Sequence, residues 1–188
     1  MRNRYQPQSA KLPEEIQTPK DIRELPLGME KKAIKDSLKV LEQTLVESYM
    51  MYALYKKHHW QLIGPTFYQL HLLFDKHAAE QLVLIDALAE RMQILGGVAI
   101  AMPHDIAERT EIERPPGGAE SIPAMLTRLV EVHGKVIEIT RKAIDTTEEN
   151  EDHGSNDFLA SDVLRTNELQ LWFVSSHLAD GTLTEGAK

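Results

Sequence analysis

In the stretch HLLFDKHAAEQLVLIDALAER, residues 71–91, one imidazole and three carboxylates that can bind cations recur on a single strip: His71, Asp75, Asp86 and Glu90. Mixed nitrogen and oxygen donors suit transition-metal ions. At about 100° per residue the four fall at roughly 0°, 40°, 60° and 100° of a helical wheel, one continuous strip. The neighbouring arc, with Leu70, Phe74, Ala78, Ile85, Leu88 and Met92, is an ordinary core stripe. Leu72, Ala79, Leu82, Val83 and Ala89 share the polar strip, and only the wedge of Lys76, Glu80, Ala87 and Arg91 reads as solvated. The apolar arc is wider than one bundle core needs. A second buried face is implied, with alanines that let another helix approach closely.

Carboxylates on a buried face need partners, because an unpaired buried charge is costly. The midpoints of the pairs His71/Asp75 and Asp86/Glu90 are separated by about 22 Å of helix, at 1.5 Å per residue. No ion spans that distance within one chain. A two-fold-related copy running antiparallel and crossing near residues 80 and 81 would bring Asp86 and Glu90 beside the other copy's His71 and Asp75. Two equivalent metal sites then form between subunits. A lone His/Asp pair at this spacing is more often a surface or capping interaction, but four such groups on one partly apolar strip argue for metal.

The elements that must hold this strip are helices. Ile34, Leu38, Leu41, Leu45, Tyr49 and Tyr52 repeat at helical steps. Gly64-Pro65 stops that pattern, Thr66 can cap a second helix, and Gly96-Gly97 ends it. A long connection follows, with room for a short helix near Asp105 to Arg109. A third helix is predicted over about 120–147 and a fourth over about 156–179, separated by the acidic, turn-like EENEDHGSND. The predicted fold is all-α: a four-helix bundle with a short extra helix in the connection between helices 2 and 3. Residues 1–28, with Pro7, Pro13, Pro19 and Pro26, read as a flexible arm, residues 29–180 as the bundle and 181–188 as a tail.

The 188 residues suit one domain, and the net charge of −8 argues against a surface that coats nucleic acid throughout. The absence of cysteine excludes disulfides, thiolate metal sites and cysteine nucleophiles. No secretory signal or membrane-spanning run stands out, which predicts a cytoplasmic protein with no membrane partner.

The segment KHHWQLIGPTFYQLHLLFDKHAAEQLVLIDALAERMQILGG resembles the signature of the Dps family, ferritin-like mini-ferritins that protect bacterial DNA from iron and peroxide. The matching elements are His59-Trp60, Gly64, Phe67, His71, Asp75, Asp86, Ala89-Glu90-Arg91 and Leu95-Gly96-Gly97. RKAI and LWF in the later helices agree, so the resemblance spans about residues 30 to 180. It implies a ferritin-like fold and a hollow shell of twelve copies built from two-fold dimers. It also implies a di-iron ferroxidase centre between subunits, with His59, His71 and Asp75 from one copy and Asp86 and Glu90 from its neighbour. Glu90 would be the strongest ligand, able to bridge two irons. The implied reaction is oxidation of Fe(II), preferentially by hydrogen peroxide and otherwise by oxygen, followed by storage of ferric mineral. No organic cofactor is implied.

By the same resemblance, Trp60 is either a sink for oxidising equivalents or a core aromatic. Glu148, Glu149, Glu151 and Asp152 fall where the family's acidic iron-entry pore is expected, or form a solvated charge run. Family members also bind DNA through a basic arm, and an association with the nucleoid would follow. Here Arg2, Arg4 and Lys11 are the arm's first cations, with Glu14, Glu15 and Asp21 close behind. DNA binding is therefore expected to be weak or absent, and the arm instead packs on a neighbour or stays disordered. His58, His77, His104, His133, His153 and His177 match no ligand position and read as surface or core residues, with His58 and His77 nearest the metal region. Two rivals remain: a DNA-compacting shell with incidental iron oxidation, and a classical ferritin with its site inside each bundle. The second needs Glu-x-x-His, and no histidine here has a Glu three residues before it.

Overall fold

In the computed structural model, residues 15–179 are described. They form α1 (Lys31–Gln61), α2 (Phe67–Ile94), α3 (Pro103–Arg109), α4 (Ile122–Glu149), α5 (His153–Phe158) and α6 (Arg165–Ser176). A π-helical segment, Leu159–Leu164, joins α5 to α6, and its flanking residues keep right-handed helical dihedrals. α5, this segment and α6 are thus one rod, the fourth of an all-α bundle. α1 packs along both α2 and α4, and α4 along α6. Among the described residues, no helix is long and apolar enough to cross a membrane.

The core has two apolar parts. One holds Leu38, Leu41, Leu45, Leu84, Leu88, Met92 and Val163, and the other Met51, Leu54, Phe74, Met125, Leu129 and Val174. Polar residues separate them on every rod: Ser48 on α1, Gln81 on α2, Thr140 on α4, and Asn167 and Gln170 on α6, all fully buried. Burying each apolar side chain contributes about 1.5–3 kcal/mol, whereas the polar layer is tolerable only where hydrogen-bonded.

α2 ends as its glycines require. Gly96 has φ +84, and its amide donates to the carbonyl of Gln93 at 2.9 Å while Gly97 donates to Met92 at 3.0 Å. A Cβ on Gly96 would stand 2.2 Å from the Arg23 carbonyl oxygen, and one on Gly97 would meet Leu38 Cδ2 at 2.5 Å. The segment before α1 lies against this turn. Arg23 N donates to Gly96 O at 2.8 Å, as does Gln17 Nε2 at 2.8 Å. The described part of the predicted flexible arm is therefore held by specific bonds. Arg2, Arg4, Lys11 and the tail from 181 lie outside the described residues.

Three further readings need correction. Thr66 occupies the N-cap position of α2, yet its hydroxyl makes no capping bond. The acidic loop between the last two rods shrinks to a tight turn. α4 runs through Glu149, Glu151 reverses the chain at φ 54, and Asp152 caps the next helix by accepting from Ser155 N at 3.1 Å. Finally, the Glu80 and Arg91 wedge of α2 faces the fourth rod instead of solvent. Gln170 Nε2 donates to Glu80 Oε2 at 2.9 Å, and Arg91 Nη2 donates to Asp152 Oδ1 at 2.7 Å. Buried Gln81 and the long Arg91 side chain span this side of the bundle, where α2 and the fourth rod meet through side chains.

Candidate metal centre

His59 near the end of α1 and His71 early in α2 are brought together by the short turn at Gly64, whose φ of +125 suits glycine. Their rings stack with centroids 3.8 Å apart and planes 18° from parallel, and Phe67 covers the other side of His71 at 4.8 Å. His59 Nδ1 lies 2.8 Å from the backbone oxygen of His71, and His71 Nδ1 lies 3.1 Å from that of His59. A carbonyl only accepts, so both Nδ1 atoms carry the proton and donate. Both Nε2 atoms are left with free lone pairs, the tautomer a metal ligand needs.

Asp75, one turn after His71, is exposed, with Oδ1 3.9 Å from His59 Nε2. The same oxygen accepts from Lys56 Nζ at 2.7 Å, and this ammonium holds the carboxyl below its usual range. Lys56 also lies 5.7 Å from the centre of the Trp60 ring. Trp60 is 72 % exposed, so within one chain it is no core aromatic. Sequence reasoning missed Lys56, although it stands three residues before His59 and four before Trp60, on one helical face.

Asp86 and Glu90 are also exposed, farther along α2, and are not brought to His59, His71 and Asp75 within the chain. Between them and His71 lie exposed Leu72, Leu82 and Val83, and a cavity of ≈ 460 Å³ is lined by Tyr49, Leu82, Val83, Ile85, Asp86 and Ala89. Among the described residues no three His, Asp or Glu groups converge to hold an ion in one chain. Within one chain the strip therefore stands as two separated polar pairs with exposed apolar residues between them.

The expected pore acids divide. Glu148, Glu149 and Glu151 are exposed at the end of α4 and its turn. Asp152 is 1 % exposed and belongs to the fold. Burial opposes its ionisation, but bonds from Ser155 and Arg91 outweigh that and hold its carboxyl below the usual range. Contrary to the expectation of a pore-lining acid, Asp152 is the buried N-cap of α5. Of the remaining histidines, His58, His77 and His133 are fully buried. Burial pushes His58 and His77 down to about 4 and His133 down to about 3, so all three are neutral imidazoles at neutral pH.

The family model of the ferritin-like domain matches residues 38–184. DpsC from Streptomyces coelicolor is 47% identical, with a TM-score of 0.88 over 91% of this chain and 99% of that one. An archaeal Dps homologue from Halobacterium salinarum is 28% identical, with a TM-score of 0.86 over 95% of this chain and 100% of that one. A DNA protection during starvation protein from Agrobacterium fabrum is 29% identical over 75% of this chain and 86% of its own length. With four helical rods, HHW in the last turn of α1 and LGG turning the chain after α2, the chain belongs to the Dps family of ferritin-like proteins.

Proposed function

We propose that the protein is a ferroxidase and iron store whose active sites form between two-fold-related copies. His59, His71 and Asp75 of one copy face Asp86 and Glu90 of the other. The observation that carries this reading is the reciprocal locking of His59 and His71. Each spends its Nδ1 proton on the other's backbone, leaving two stacked imidazoles with bare Nε2 atoms beside an exposed carboxylate. A surface His pair has no need of such tautomeric order.

Iron is the substrate. Fe(II) is oxidised to Fe(III) while hydrogen peroxide, in preference to oxygen, is reduced, and the ferric product is stored inside a shell of twelve copies. The donor set suits this, because carboxylate oxygens stabilise ferric iron over ferrous. Lys56 neutralises Asp75 until a cation arrives, and it keeps positive charge beside Trp60, a candidate donor of electrons to leftover oxidant. Exposed Glu148, Glu149 and Glu151 support a cation-attracting role at an entry pore. The shell would act in the cytoplasm and spare DNA by removing iron and peroxide together, with direct DNA binding weak.

Replacing Asp75 and Glu90 together by alanine should abolish rapid peroxide-dependent iron oxidation in stopped-flow absorbance while leaving assembly intact. Unchanged rates would overturn the site.

A further inference from the structure

The buried polar layer contains an arrangement that the ferroxidase strip does not use. Tyr55 of α1 is fully buried, and its phenolic oxygen sits between two imidazoles on different helices. His133 Nε2 of α4 is 2.6 Å away and His77 Nδ1 of α2 is 3.0 Å away. A phenol has one proton, so it donates to one ring and accepts from the other. The shorter contact favours O–H donation to His133, and the longer one N–H donation from His77. His133 Nδ1 is buried without a partner, as is Gln81 Oε1 in the same layer. Asn167, which accepts from Gln81 Nε2 at 3.1 Å, is directed into the layer at the end of the π segment, where its amide donates to Val163 O at 2.8 Å. π segments recur at functional sites.

We propose, resting on the ferroxidase reading above, that Tyr55 is a proton-coupled one-electron donor. It gives its electron to hydrogen peroxide when only one Fe(II) is at hand, and its proton to His133. The balance is complete. Peroxide takes one electron from Fe(II) and one from Tyr55, and its O–O bond breaks to give two hydroxide ions. The phenol O–H bond breaks, the proton forms an N–H bond at His133 Nε2, and Fe(III), a neutral phenoxyl radical and an imidazolium remain.

The path is short. Tyr55 precedes His59 by one helical turn, roughly 6 Å along the axis. Its ring lies 5.8 Å, centre to centre, from that of Phe74, the neighbour of Asp75 in sequence. Removing an electron from a phenol makes it a far stronger acid than any imidazolium, so a base already hydrogen-bonded to it takes the proton without rearrangement. Burial and the nearby Glu80 keep the phenol protonated, which makes proton transfer obligatory. Burial also keeps His133 neutral and able to accept. The charged groups facing the layer are Glu80 and Lys76, paired with each other on α2, and Glu80 is further bound by Gln170 of α6.

The test has two arms on the full-length assembled protein. In the first, the metal-free shell is oxidised by a flash-generated ruthenium polypyridyl oxidant and frozen for electron paramagnetic resonance. A neutral phenoxyl signal with exchangeable couplings from imidazole hydrogen bonds is expected. It should disappear in Tyr55→Phe and lose its imidazolium coupling in His133→Gln. A radical that persists unchanged in Tyr55→Phe, or that resides only on tryptophan, overturns the proposal. Because the coupling is read in the wild-type protein, the result does not depend on either variant folding. The second arm adds limiting Fe(II) and peroxide. Ferric absorbance without the Tyr55 radical overturns the donor role and leaves the ferroxidase reading standing. Absence of ferric absorbance overturns the ferroxidase reading, and the first arm still decides whether Tyr55 is a proton-coupled donor.

Discussion

α2 carries two polar regions that differ in how they are completed. The inner one, His77 and Gln81, bonds to the chain's own helices through Tyr55 of α1 and Asn167 and Gln170 of α6, with Gln81 Oε1 left unpartnered. The outer one, His71, Asp75, Asp86 and Glu90, lies open among exposed Leu72, Leu82 and Val83. His77 inside and His71 outside each have a defined partner for Nδ1. Inside, that partner is a phenol, and the imidazoles are sealed from water. Outside, it is backbone, and His71 is only half-buried. One helix thus separates a layer bonded within one copy from an exposed strip that, on the proposed function, two copies share.

The sharpest way to break this comparison is to mix subunits. Shells of His71→Ala/Asp75→Ala and of Asp86→Ala/Glu90→Ala should each oxidise iron at least about 100-fold more slowly, since even residues that merely support metal ligands are worth 10–100-fold. Co-assembled from unfolded mixtures, they should regain activity, because each mixed dimer contains one site with all its ligands intact. No recovery in stopped-flow assays would show that the outer region is not shared.

A second test separates the regions by pH. The inner histidines are held neutral in the native state, and an unfolded histidine titrates near 6.5. Below that value the unfolded chain binds protons the native one refuses. Stability is therefore fully present above about pH 6.5 and falls as pH drops toward the depressed native values, by up to about 1.4 kcal/mol per pH unit for each histidine. Urea denaturation of metal-free protein across this window should show the slope, and His133→Gln should reduce it by one proton's worth. A flat profile would mean the inner imidazoles are not sealed.

The smallest effect concerns the layer's own bonds. Asn167→Leu removes the acceptor of Gln81 and the donor to Val163 O, and should cost about 1–3 kcal/mol. The denaturation midpoint at fixed protein concentration measures this. The rate of iron oxidation per assembled shell should not change, since Asn167 is remote from the outer strip; a matching loss of rate would join the two regions.

The outer region was legible in the sequence because it is local. His71 to Glu90 share one helix, and a wheel places them without knowing the fold. The two glycines after Leu95 were legible for the same reason, although their close approach to Arg23 and Leu38 was not. The inner layer was hidden because its members are single polar residues on separate helices. Tyr55 and His133 are 78 positions apart and Gln81 and Asn167 are 86 apart, so no periodicity links them. Asp152 was misread because a charge run conceals which member turns inward. Its role depends on Arg91, which the wheel had assigned to solvent.

The π segment gives the fourth rod two possible rotational settings. A wider turn takes up residues without advancing the rod as an α-helix would, so everything beyond Leu164 is set at a different angle from an uninterrupted helix. Straightening this segment into regular α-helix with every residue kept would turn the far half of the rod by about 100°. Asn167 and Gln170 would then leave the interior, and other side chains of α6 would take their places. A feature of six residues thus acts as the indexing notch of the bundle, fixing which face of its last helix is inside.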